Sequence, residues 1–166
     1  MVGEARTRQG RKSSTRFLIV DAQSVKNTDS AGEKISGIKH HIAVDTQGLP
    51  HAIAVTTADV TDRKGALLAL GRCAADLQAV QRILADGGYV GQPFAQAVEE
   101  LLGAQVQIAK RSELHTFAVM PQRWVVERSF AWIEKCRGLW KNCERKLNTS
   151  LQFIHLAFLS LLLRRS

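Results

Sequence analysis

Residues 17–21 read Phe17-Leu18-Ile19-Val20-Asp21, and residues 82–86 repeat the arrangement as Arg82-Ile83-Leu84-Ala85-Asp86. A short unbroken apolar run is the pattern of a strand covered on both faces. Each run closes on an aspartate. In open α/β sheets, sites assemble outside the carboxyl ends of the strands, so two carboxylates are expected close together there. Like charges that near stay ionised only with positive charge between them. A divalent cation satisfies this, and oxygen ligands select Mg²⁺ or Mn²⁺. The competing reading is that Asp21 and Asp86 only open turns or cap helices.

Working outward, Gly37 to Asp45 and Leu49 to Thr57 carry β-type residues on either side of Asp45-Thr46-Gln47-Gly48, which predicts a hairpin. Asp62 to Leu77 has helical spacing, with Thr61 or Asp62 as its cap. Asp45 and Asp59 are read as structural, at the turn and at the strand-to-helix junction. Pro93 to Leu102 is a helix with Pro93 in its first turn and Gly103 beyond its end. Val106 to Ala109 is a short strand, and Arg123 to Trp140 and Leu147 to Leu163 are two closing helices. Strands first and alternation afterwards imply an α/β domain with a mixed five-stranded sheet and helices on both faces.

The 166 residues fit one domain, spanning 15–166, behind a flexible basic arm at 1–14 that carries Arg6, Arg8, Arg11 and Lys12. Twenty-three Lys and Arg against fifteen Asp and Glu give a net charge of +8, which favours an anionic partner, nucleic acid first. Three cysteines with no CxxC pair argue against a disulfide scaffold or a structural zinc site and favour a reducing cytoplasm. The longest apolar stretch, Leu151 to Leu163, covers 13 residues and includes Gln152, His155 and Ser160. That is short of the ~20 a membrane span needs, so no membrane is expected as a partner.

A two-metal site needs a third acid. Glu127 and Glu134, seven apart, point the same way from one helix. Spacing alone leaves both open, and either could instead be a surface glutamate paired with Arg123 or Arg128.

The series LIVDAQSVK, GIKHHIAVDTQGLPHAIAVTTADVTDRKGA, ILADGGYVG and RWVVERSFAW closely resembles the catalytic domain of insertion-sequence transposases of the IS4/IS5 group, from about Thr15 to Leu163. The resemblance implies an RNase H-like fold and a DDE triad of Asp21, Asp86 and Glu127 holding two Mg²⁺ or Mn²⁺ ions. It favours Glu127 over Glu134 through the signature Tyr-x2-Arg-x3-Glu-x6-Lys. Arg123 matches the arginine, while Met120 and Glu134 stand at the tyrosine and lysine positions; Lys135 or Arg137 could substitute for the latter. The implied activity is hydrolysis at transposon ends followed by strand transfer into target DNA, without a covalent enzyme intermediate. A homodimer on DNA in a bacterial cytoplasm, associated with the nucleoid, goes with it.

Such transposases carry an N-terminal DNA-binding domain. Only sixteen residues precede the first strand, so an upstream frame joined by frameshifting is expected to supply one. The alternatives are a truncated, non-catalytic DNA-binding remnant or inhibitor of a full-length transposase, and a stand-alone RNase H-like nuclease. The expected DNA contacts are Lys26, Lys39, His40, Arg123, Arg128 and Lys135, within a basic second half that also holds Lys110, Arg111, Arg137, Lys141, Arg145 and Lys146. A histidine metal site at His40-His41 is disfavoured for want of other ligands nearby. Trp124, Trp132 and Trp140, eight apart, are read as core, and the cysteines as packing residues.

Overall fold

The computed structural model describes residues 2–28, 37–109, 123–136 and 138–164. Five strands, β1 (Phe17–Val25), β2 (Ile38–Val44), β3 (Pro50–Thr57), β4 (Arg82–Ala85) and β5 (Gln105–Ile108), form one sheet in the order β3-β2-β1-β4-β5. The pairs β1–β2 and β2–β3 are antiparallel, while β1–β4 and β4–β5 are parallel. The helices are α1 (Val2–Arg8), α2 (Asp62–Arg72), α3 (Gln92–Leu102), α4 (Arg123–Glu134) and α5 (Leu147–Arg164).

Alternation along the strands divides the core in two. Leu18, Val20 and Ile83 pack with Leu70, Phe94 and Val98 under α2 and α3. Ile19, Val25 and Leu84 pack with Val125, Val126, Phe130 and Ile133 of α4 and Ile154 and Phe158 of α5. Helices thus cover both faces, as expected.

Local signals place most boundaries. Gly48, at φ +78°, closes the β2–β3 turn. Thr61 accepts a hydrogen bond from the Lys64 amide at 3.4 Å and starts α2. Gly103, at φ +65°, ends α3. Close packing demands glycine at position 65, where a Cβ would lie 2.1 Å from the His41 ring.

Four expectations change. The first strand runs four residues past Asp21 because β2 pairs with it as far as Val25↔Ile38. The segment 1–14, expected to be a free arm, contains α1, whose Ala5 packs with Leu49 and Leu162. Its Arg6 makes a buried ion pair with Asp45. Helix α2 stops at Arg72, and Ala74–Leu77 tightens into a 3₁₀ turn. Helix α4 stops at Glu134 rather than Trp140, so the tryptophans do not share a helix face. Trp132 is partly buried and stacks on Phe158 with ring centroids 5.8 Å apart, whereas Trp124 and Trp140 are 49% and 58% exposed. Cys143 is likewise exposed, while Cys73 and Cys136 are half-buried.

Candidate active site

The parallel register pairs Ile19 with Leu84. Two residues further on stand Asp21, within β1, and Asp86, just past the end of β4, at matching positions and on the same side of the sheet by alternation. Both line one small crevice with Leu84, Ala109 and Val126. Neighbouring strands lie ~4.8 Å apart, so the register brings the two carboxylates together.

Both side chains are braced by backbone. Asp21 Oδ1 accepts from the Ala22 amide at 2.8 Å, and Asp86 Oδ1 accepts from the Gly88 amide at 2.8 Å. Asp86 therefore does cap the 3₁₀ turn Gly87–Tyr89, as the competing reading had it, and lines the crevice as well. A Cβ at position 88 would lie 3.1 Å from Asp86 Oδ1, which explains the glycine there.

Helix α4 crosses beside this crevice. Val126 enters its lining, and Glu127, next in sequence, is exposed on the helix flank. Glu134, on the same flank two turns on, accepts a hydrogen bond from Gln23 Nε2. The opposite flank is tied to the hairpin: Arg128 Nη2 donates to the Gln47 carbonyl at 3.1 Å and Ser129 Oγ to the Gly48 carbonyl at 3.3 Å. Among the described residues, no three His, Cys, Asp or Glu side chains gather closely enough to hold a metal ion. Asp21 and Asp86 supply the hard oxygen donors that suit a divalent cation; Glu127 stands outside that pair.

The expected DNA contacts divide. Lys26 and Lys135 are exposed. Arg128 is exposed and lies over the Trp124 ring, 4.5 Å from its centroid. Lys39 turns inward, its Nζ donating to Asp62 Oδ1 and the Val60 carbonyl, both at 2.9 Å. His40 is corrected: at 1% exposed it cannot meet DNA, because Ile38, His40 and Ile42 all face the α4–α5 core. Arg123 opens α4, but its side chain, with Lys110, Arg111, Met120 and Arg137, lies outside the described residues.

Burial dominates the electrostatics of the histidines. It lowers His40 to about 4, helped by His41. It also lowers His41 to about 4, with Asp62 opposing and Lys39 adding. His41 Nε2 is 2.8 Å from Thr56 Oγ1. Burial pushes the Tyr89 phenol strongly up, and Asp21, Asp62 and Asp86 add to the shift.

Two features lay beyond the sequence reading. Asp45 is fully buried and pairs with Arg6 and with His51, at 3.2 Å from His51 Nε2. Burial would raise its pKa, but the His51 bond and the Gln47 and Leu49 amides outweigh this and hold it low. The Gln23–Glu134 bond also carried no signal, since 111 residues separate the partners.

The sheet order, the two-sided helical cover and the paired aspartates define an RNase H-like domain. Solved structures similar to this fold include the simian T-cell lymphotropic virus intasome in complex with a PP2A regulatory subunit, at 16% identity and TM-score 0.61, covering 89% of this chain and 48% of that one. The catalytic core of BIV integrase shares 12% identity at TM-score 0.56, covering 89% and 84%. That of HTLV-2 integrase, solved with magnesium, shares 16% at TM-score 0.56, covering 89% and 85%. Residues 12–163 match the transposase DDE domain family, and the chain belongs to that family. A Burkholderia cepacia protein named as the transposase for insertion sequence element IS402 is 35% identical over 132 residues. The match covers 75% of this chain and 60% of the relative, so the chain spans less than two thirds of that protein. Among the described residues, no helix is long and apolar enough to cross a membrane.

Proposed function

We propose that the chain is the catalytic domain of an IS5-type DNA transposase, acting on transposon ends and target DNA. The observation that carries this reading is the placement of Asp21 and Asp86 at matching positions on adjacent parallel strands, lining one crevice. Asp21, Asp86 and Glu127 would hold two Mg²⁺ or Mn²⁺ ions, Glu127 being the acid of α4 beside the crevice-lining Val126. Bound there, the ions would lower the pKa of water and stabilise the leaving oxygen of an in-line displacement at phosphorus.

The protein's own part is positional. The Ala22 and Gly88 amides fix the rotamers of the two aspartates, so their geometry is set before substrate arrives. Attachment of α4 to the hairpin through Arg128 and Ser129 holds Glu127's helix against the sheet. Water attacks a phosphodiester at the transposon end, breaking its P–O3′ bond to leave a 5′-phosphate and free a 3′-hydroxyl; that hydroxyl then attacks a target phosphodiester at the same carboxylates and displaces the target strand's own 3′-hydroxyl. Lys26, Arg123, Arg128 and Lys135 provide phosphate contacts outside the crevice. The domain works in the bacterial cytoplasm as a homodimer on paired ends.

The test is release of a 3′-hydroxyl from a duplex bearing the element end, with Mg²⁺ or with EDTA. Metal-dependent nicking at the end supports the reading. Nicking of any duplex or RNA hybrid without regard to the end favours a general nuclease.

A further inference from the structure

Beyond the carboxylates, the last residue of α4 is tied to β1, and the chain that follows α4 is tied to the residues just past β1. Glu134 accepts from Gln23, two residues past Asp21. Asn142 then pairs with the residues past the strand: its amide donates to the Lys26 carbonyl at 2.9 Å, its carbonyl accepts from the Thr28 amide at 2.9 Å, and its Nδ2 donates to Asn27 Oδ1 at 2.9 Å. The described residues between these ties carry Lys135, which is exposed, and Trp140, which is 58% exposed with Lys141 Nζ 4.6 Å from its ring centroid. Lys26, the residue after β1, is exposed. At ~3.3 Å per residue, the tied positions from Gln23 to Asn27 run roughly 7–20 Å along the chain beyond Asp21.

An exposed indole with an ammonium group beside it, as Lys141 stands beside Trp140, is a platform on which a base can stack while a phosphate meets the cation. We propose that Trp140, with Lys26, Lys135 and Lys141, binds the unpaired end of a DNA strand whose scissile phosphate lies at Asp21 and Asp86. This rests on the transposase reading for the identity of the polymer. The patch itself stands on the two ties and the exposed aromatic–cation pair. A protein segment of acidic character is the competing occupant.

The experiment is fluorescence anisotropy of a labelled 12-nucleotide single strand and of the matching blunt duplex, titrated with the full chain in EDTA. Trp140→Ala is expected to weaken the single strand about tenfold and the duplex less than twofold. Trp140→Phe, which keeps an aromatic face, is expected to recover most of the loss. Lys26→Ala, Lys135→Ala and Lys141→Ala should each lower the salt slope of single-strand binding by ~0.7. Unchanged single-strand affinity in Trp140→Ala, equal losses on both DNAs, or no single-strand binding by the wild-type chain overturns the proposal. If joining at pre-cut ends still requires Asp21, such a result removes the patch and leaves the active-site reading standing. If single-strand binding depends on Trp140 but joining ignores Asp21, the patch stands and the active-site reading falls.

Discussion

Asp21 and Asp86 each lie two residues beyond the paired Ile19 and Leu84 of adjacent parallel strands, and both line one crevice. A divalent ion held by these two carboxylates would stabilise the native state by mass action alone, by ~2.7 kcal/mol at a hundredfold excess over Kd. For a domain of this size that is a rise of roughly 5–10 °C in Tm. Calorimetry with Mn²⁺ should show it in the wild type and lose it in Asp21→Asn and in Asp86→Asn. Equal stabilisation of all three proteins would place the ion elsewhere.

Glu127 and Glu134 share a flank of α4 but differ in surroundings, since Glu134 is tied to Gln23. Glu127→Gln is expected to lower strand transfer by at least ~100-fold, the scale of losing a metal-ligating charge. Glu134→Gln keeps a carbonyl oxygen for Gln23 and should stay within about fivefold, an effect of ~1 kcal/mol. The reverse ranking in a single-turnover joining assay would move the third acid to Glu134.

The buried histidines set an acid limit. Both have folded pKa values of about 4 against 6.5 when exposed. The unfolded chain therefore takes up protons first as pH falls from 6.5 towards 4, and stability drops through that window. Each histidine accounts for about 3 kcal/mol across it. Urea midpoints should fall between pH 7.5 and pH 5, and His40→Met should flatten the decline. Asp45 acts lower: its depressed pKa supports folding above the ordinary carboxylate range and is lost only as pH falls through the folded value.

Asp45 binds α1 to the hairpin through Arg6 while bracing its own turn. Asp45→Ala leaves a buried guanidinium without its counter-ion, with only the Lys12 carbonyl still accepting from it, and should cost about 3–5 kcal/mol. Arg6→Ala should cost less, because His51 and two amides still serve the carboxylate. Equilibrium urea unfolding gives both values, and equal costs would contradict this ordering.

Gly65→Ala drives a methyl group into the His41 ring. Overpacking of that kind costs about 1–3 kcal/mol. His41→Ala in the same chain should recover part of the loss by opening space, so the two changes should be non-additive in a double-mutant cycle.

The apolar runs before Asp21 and Asp86, the Asp45–Gly48 turn and the Thr61 cap made the sheet and most of its helices legible, because each is local chemistry. Asp21's position within a longer strand was not legible: the strand is extended by its antiparallel partner, not by its own composition. Spacing misled on the tryptophans. Steps of eight drift by ~80° around a helix, which turns Trp124 away from the core that Trp132 enters, and Trp140 lies beyond the end of α4 altogether. His40 looked like a contact because it stands beside Lys39, yet alternation turns neighbours to opposite faces. Arg6–Asp45 and Gln23–Glu134 join residues far apart in sequence and leave no pattern to read.

The most direct test of the proposed site is Mg²⁺-dependent joining of element ends with a pre-cut 3′-hydroxyl. Wild type would be compared with Asp21→Asn, Asp86→Asn and Glu127→Gln at matched circular dichroism. Joining by the wild type alone is the expected result. DNA binding without joining, or joining that survives loss of either aspartate, would contradict the account.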